Sequence, residues 1–188
     1  MKKFQKIYKQ IQKSKLLKAQ IIVILTSLVL GTLLHFTYEW SGKNAIIASF
    51  SAVNESTWEH LKLVFYPMLL ATIIEYIFVK NVANNYLEAK TIGIFTAISF
   101  IVISFYTYTG ILGTNFFLID ILIFAISIIL GEYVAYKLMK RENESNIKTK
   151  ILAVIIMIFL LISFIVCTYN PQKVNLFRDP VTGNYGIE

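Results

Sequence analysis

The chain has 188 residues, 56% of them hydrophobic and only 15% charged, with a mean hydropathy of +0.64 and a formal net charge of +7. A soluble domain carries about a quarter charged residues and less than half apolar ones, so a water-surrounded globule and a disordered chain are both excluded. The single Cys167, with no Cys-x-x-Cys and no Cys/His cluster, excludes an internal disulfide, a thiolate metal site and dithiol redox chemistry.

Residues 1–18 are rich in lysine. Phe4, Ile7, Tyr8 and Ile11 recur at helical spacing while Lys2, Lys6, Lys9 and Lys13 take another face, the pattern of an amphipathic helix lying on an anionic membrane surface. No stacking aromatics interleave with these lysines as a nucleic-acid contact would need, so the basic balance is assigned to the lipid bilayer. The apolar run that follows continues to Tyr38 without a small-x-small cleavage site, so it is expected to be an uncleaved span. A membrane-crossing helix needs about 20 mostly apolar residues. Five stretches approach this, at about 21–38, 61–79, 91–109, 116–136 and 151–169. Between the first two, residues 44–53 are apolar but too short to span. They are expected to form an interfacial or re-entrant segment, covered by protein if it enters the bundle. Residues 170–188 follow the last span and carry turn chemistry at Asp179-Pro180 and Gly183-Asn184; they fold back as a lid or fray. The chain is therefore expected to be a single all-α membrane domain of five spans in a bacterial cell membrane.

Alternating the connections places fourteen of the eighteen basic residues on one side. Basic residues favour the cytoplasm, which predicts an N-in, C-out orientation. Both histidines then fall on the outer side. His35 and Glu39 are spaced i, i+4, as are Glu55 and Glu59, so two helix faces could present two imidazoles and up to three carboxylates to one cavity. Imidazole with carboxylate is the ligand set of a catalytic divalent ion such as zinc. His35, Glu39, Glu55 and His60 are the candidate ligands, with Glu59 or Asp120 as general base and Asn54, Trp58 and Lys62 around them.

Simpler roles compete for the same residues. Ser56-Thr-Trp-Glu59 fits a capping box in which Glu59 reaches back to the cap amide. Trp40 and Trp58 suit an interfacial aromatic belt, and Lys62 could snorkel outward or neutralise Asp120. Glu75 and Glu132 each precede a lysine, Lys80 and Lys137, by five residues, which fits boundary salt bridges; alternatively, with Asp120, they form an ion-coupling path. Gly31, Gly93 and Gly131 are expected at close helix approaches.

The segments Gly31-Thr-Leu-Leu-His35-Phe-Thr-Tyr-Glu39-Trp40-Ser-Gly42 and Phe50-Ser-Ala-Val-Asn54-Glu55-Ser-Thr-Trp58-Glu59-His60-Leu-Lys62 resemble an uncharacterised family of small bacterial polytopic membrane proteins, a domain of unknown function. That resemblance implies no reaction. The placement of Asn54, Thr57 and His60 is more loosely similar to an early motif of the progestin and adipoQ receptor group and its membrane-hydrolase relatives, which would imply a zinc-dependent amide or lipid hydrolase. This chain has five expected spans where that group has seven and lacks its late paired histidines, so a three-histidine site cannot be built here. Three functions remain open: a divalent-metal pocket with membrane hydrolase chemistry, a small-solute transporter or its substrate-binding subunit, and an assembly or sensing subunit. The second and third imply a homo-oligomer or a membrane partner subunit.

Overall fold

The computed structural model describes residues 2–80, 82–141 and 145–187, residues 2–9 by their backbone alone. Among them, six α-helices occur in the order α1 (Lys2–Trp40), α2 (Ala45–Ala48), α3 (Thr57–Val79), α4 (Tyr86–Leu112), α5 (Phe117–Lys140) and α6 (Ile147–Tyr169). A 3-10 turn at Asn175–Phe177 lies in the tail, and the described residues form no strand beyond an isolated Arg178–Tyr185 bridge. All helices except α2 are long and apolar enough to cross a membrane. They run alternately up and down. The end of α1, the start of α3 and the end of α6 therefore meet at one end of the bundle, here called the tail end.

The basic tail and first span, expected as two elements, form the single helix α1. The amphipathic face expected at Phe4, Ile7 and Tyr8 lies outside the described side chains. From Leu16 onward the bundle-facing stripe of α1 is Leu16, Gln20, Val23, Ser27, Gly31 and Tyr38, while Ile21, Ile22, Leu25, Val29 and Phe36 face outward. Gln20, Ser27 and Gly31 thus point inward beside Leu16, Val23 and Tyr38, while the outward face carries large apolar residues. This is the reverse of a soluble helix and the pattern expected where lipid solvates the exterior and packing, not apolar burial, selects the interior.

Glycines set the tightest approaches. A Cβ at Gly131 would lie 2.6 Å from the Gly93 carbonyl and 3.0 Å from the Ala97 Cβ, and one at Gly93 would lie 2.6 Å from the Gly131 carbonyl. Gly93 with Ala97 and Gly131 with Ala135 form facing small-x-x-x-small pairs, which let α4 and α5 pack backbone to backbone. A Cβ at Gly31 would clash with the Leu63 carbonyl. Pro67, four residues on in α3, has no N–H for that carbonyl, and α1 packs into the gap.

The core between the ends is apolar: Leu61, Phe65, Met68, Ile94, Ile128 and Phe164 are all at most 2% exposed. A second apolar cluster, built on Leu16, Val79, Tyr86 and Met139, closes the opposite end.

Candidate functional site

At the tail end, α1 closes at Gly42, whose positive φ of 68° lets the Lys43 N–H reach back to the Tyr38 carbonyl (3.1 Å). Asn44 then caps α2, its side chain accepting from the Ile46 N–H at 2.8 Å. The following segment turns into the bundle end with Ala48, Ser51 and Ala52 buried. Ser51 anchors it. Its hydroxyl donates to the Leu34 carbonyl (2.5 Å) and accepts from the Tyr38 N–H (3.0 Å), two groups that pair with each other in an uninterrupted helix. The residues flanking His35 are thereby tied to the strip that carries Glu55. The segment is covered on one side only, since Ile46 and Phe50 remain exposed.

Glu55 lies in this strip just before α3, and His60 in the first turn of α3. Ser56 caps α3, accepting from the Glu59 N–H at 3.4 Å, while the Ser56 N–H goes to Asn54 Oδ1 at 2.9 Å. His35 on α1, Glu55 and His60 converge so that one ligand atom from each lies within 4.8 Å of the others. His60 Nε2 is 3.4 Å from Glu55 Oε2, His35 Nε2 is 4.0 Å from Glu55 Oε1, and the two imidazole rings stand edge to face at 5.2 Å. The histidine side chains are 33% exposed and that of Glu55 is 49% exposed, so the cluster opens to solvent. His60 Nδ1 lies 3.0 Å from the Ser56 carbonyl, an acceptor only. The Nδ1 side of the ring is thus held by the backbone, and Nε2 faces Glu55. Phe36 stacks against His35 at 5.0 Å and Trp40 against Phe36 at 5.7 Å, giving the cluster an exposed aromatic flank.

The other expected residues fall elsewhere. Glu39 is exposed one turn beyond His35 and does not join the three. Glu59 is not the back-reaching half of a capping box. It is buried, ion-paired with Lys62 at 2.5 Å, and accepts from the Val53 N–H (3.1 Å) and the Thr168 hydroxyl (3.0 Å). Those bonds engage both its oxygens. Lys62 neither snorkels nor meets Asp120. At 0% exposure it donates to the Ala48 carbonyl (2.8 Å) and Thr168 (2.9 Å) as well as to Glu59, joining the re-entrant strip, α3 and α6. Asp120 sits at the α4–α5 turn, where it accepts from the Tyr108 hydroxyl and from Asn115 Nδ2 (3.0 Å). Trp58 is half-buried, its indole packed between Phe164 (4.7 Å) and Phe177 (4.8 Å).

Phe177 belongs to the tail, which folds back over the start of α3. Asn54 Nδ2 donates to the Gly186 carbonyl (2.9 Å), and Asp179, buried, closes its turn by accepting from the Val181 N–H (2.8 Å) and Thr182 (3.0 Å). Asn54 thus fixes the tail with its amide and the Glu55 strip with its carbonyl.

A second polar layer lies about 22 Å away, fifteen residues along α1 from His35 at 1.5 Å each. Lys90 is its centre, paired with Glu75 (2.6 Å) and Glu132 (2.5 Å). Lys80 and Lys137, the expected partners, are exposed instead. Gln20 and Tyr86 complete the layer. Neither they nor Lys90 stand out in the sequence, although Lys90 shares a helix face with Gly93 and Ala97, which could have marked it as bundle-facing. Beside the layer, a groove of about 360 Å³ runs between α3, α4 and α6, apolar except for Thr72, Tyr76, Tyr86, Lys90 and Thr91.

The fold and these layers define a helical protein with five candidate membrane spans, a solvent-open His/Glu/His cluster at one end and a buried charged layer near the other. The chain belongs to the DUF6512 family, a family of unknown function whose model matches residues 6–187. No curated protein and no solved structure matches it.

Proposed function

We propose that this is a multi-pass membrane protein holding a divalent transition-metal ion between His35, Glu55 and His60, with one coordination position open to water or substrate. The convergence of these three side chains from separate segments is the observation that carries the reading. Tetrahedral zinc, with bonds of about 2.0–2.1 Å, separates its ligand atoms by about 3.3 Å. The three ligand atoms lie within 4.8 Å of one another, so side-chain movements of up to about 1.5 Å would bring them to that spacing. The Ser56 carbonyl on His60 Nδ1 supplies the outer hydrogen bond that orients a ligating imidazole.

Two histidines and a glutamate with an open fourth position form the ligand set of hydrolytic zinc sites, where the ion supplies Lewis-acid activation of water. With Glu59 and Asp120 engaged elsewhere, exposed Glu39 is the carboxylate left to take a proton. The Phe36–Trp40 flank favours a substrate with a lipid-like portion, so hydrolysis of a lipid or amide is the activity assigned. The basic end faces the cytoplasm by its lysines, and the metal site faces outward. A small-solute transporter would need a polar route between the ends; the Phe65, Met68 and Ile128 core lies across it, which favours the metal reading.

Elemental analysis of the detergent-purified chain tests this. Near-stoichiometric zinc, iron or manganese is expected in the wild type and lost in His35→Ala and His60→Ala. A wild type with no metal above background after zinc loading refutes it.

A further inference from the structure

The buried layer around Lys90 holds two carboxylates and one amine, so with every group ionised it would carry a net negative charge inside the bundle. The donor count shows how that charge is met. Lys90 Nζ has contacts for all three protons of an ammonium: Glu75 Oε2 (2.6 Å), Glu132 Oε2 (2.5 Å) and Gln20 Oε1 (3.2 Å). Glu75 is saturated as an anion, because Oε1 accepts from Gln20 Nε2 and Oε2 accepts from the Tyr86 hydroxyl (2.9 Å) and Lys90. Glu132 is not. Among the described residues Lys90 is its sole donor, and its Oε1 is buried without a partner in a residue 1% exposed.

An ionised carboxylate with an orphaned oxygen at such burial is more costly than a neutral acid, and a bundle interior tolerates paired charges better than a surplus one. Gln20 on α1, Glu75 on α3, and Lys90 and Tyr86 on α4 are the polar and charged groups that surround Glu132 on its own helix α5. At this level α6 presents Ala153, Val154 and Met157. Among the described residues, no second cation meets the layer. We propose that the Glu75–Lys90–Glu132 cluster is a binding site for one exchangeable proton, seated on Glu132, that makes the cluster electroneutral. The step is simple: a proton from water adds to the Glu132 carboxylate, giving the acid, and no other bond changes. Because Lys90 bridges α3 and α5, loss of that proton would leave a charge where the glycine-lined α4–α5 contact is tightest. None of these groups touches the histidine cluster, so the site stands or falls apart from the metal reading.

Infrared spectroscopy of the full-length, detergent-purified chain in H2O and D2O tests the proposal by the protonated-carboxyl C=O stretch. At neutral pH the wild type should show a band of one carboxyl per chain that shifts on deuteration. Glu132→Gln should abolish it. Glu75→Gln should abolish it too, since the remaining carboxylate then balances Lys90 alone. Lys90→Met should double it. No band in the wild type, a band surviving in either Gln variant, or no rise in Lys90→Met overturns the proposal, so one variant failing to fold leaves the others to decide. The seat of the proton is read from stability. Glu132→Gln, an isostere of the acid, should keep the wild-type Tm, while Glu75→Gln, which aims an amide at three donors, should lower it. The reverse order would overturn the assignment to Glu132.

Discussion

Replacing Lys62 by methionine tests whether the ion pair beneath the histidine cluster holds the tail end together. Its ammonium makes three contacts, to Glu59 (2.5 Å), the Ala48 carbonyl (2.8 Å) and Thr168 (2.9 Å), and the paired side chains are 0% and 2% exposed. An exposed lysine–glutamate pair contributes about 0.2–1 kcal/mol. Removing one partner of a buried pair costs about 3–5 kcal/mol, because the other charge is left uncompensated. Here Glu59 would keep only the Val53 N–H and the Thr168 hydroxyl as donors. For a chain of this length a loss of that size lowers Tm by roughly 6–20 °C. Thermal unfolding in detergent, followed by helical circular dichroism, measures it. The double variant Lys62→Met/Glu59→Gln should recover most of the loss, since the amide leaves no buried charge. Ala48 and Val53 lie in the strip that carries Glu55, so the single variant should also hold less metal at limiting zinc although no ligand is changed. A Tm shift below about 2 °C, or a double variant no better than the single, would refute the reasoning.

Gly131→Ala should lower stability by about 1–3 kcal/mol, because its Cβ would meet the Gly93 carbonyl at 2.6 Å. Gly110→Ala, with nothing within 4 Å, should be neutral or gain up to about 1 kcal/mol; equal effects of the two in thermal unfolding would contradict the packing account. Phe177→Ala should cost about 3 kcal/mol by removing the ring packed on Trp58, and should speed limited proteolysis of the tail. Unchanged cleavage would mean that the ring does not hold the tail down.

The class of this protein was legible in its sequence because five apolar runs near membrane-crossing length need no tertiary information to be recognised. The inward positions of Gly31, Gly93 and Gly131 were legible for a related reason, since small residues inside such runs have few other uses. His35, Glu55 and His60 could be singled out as residue types able to bind a metal.

Which carboxylate would join the histidines was decided by the fold alone. Helical spacing pairs His35 with Glu39 and Glu55 with Glu59, but Glu55 lies in a non-helical strip that Ser51 fastens to α1, and the i, i+4 argument does not apply there. Glu59 and Lys62, three residues apart, carry no mark distinguishing a boundary pair from a buried one; Thr168, a hundred residues away, makes the difference. The same holds for Glu75 and Glu132. Sequence proximity nominated Lys80 and Lys137, whereas packing of α3, α4 and α5 brought both to Lys90. Composition and periodicity act along one helix and determine that it is long and apolar enough to cross a membrane. Partners of buried charges are chosen across helices, by which faces the glycines allow to approach, and only the assembled bundle contains that information.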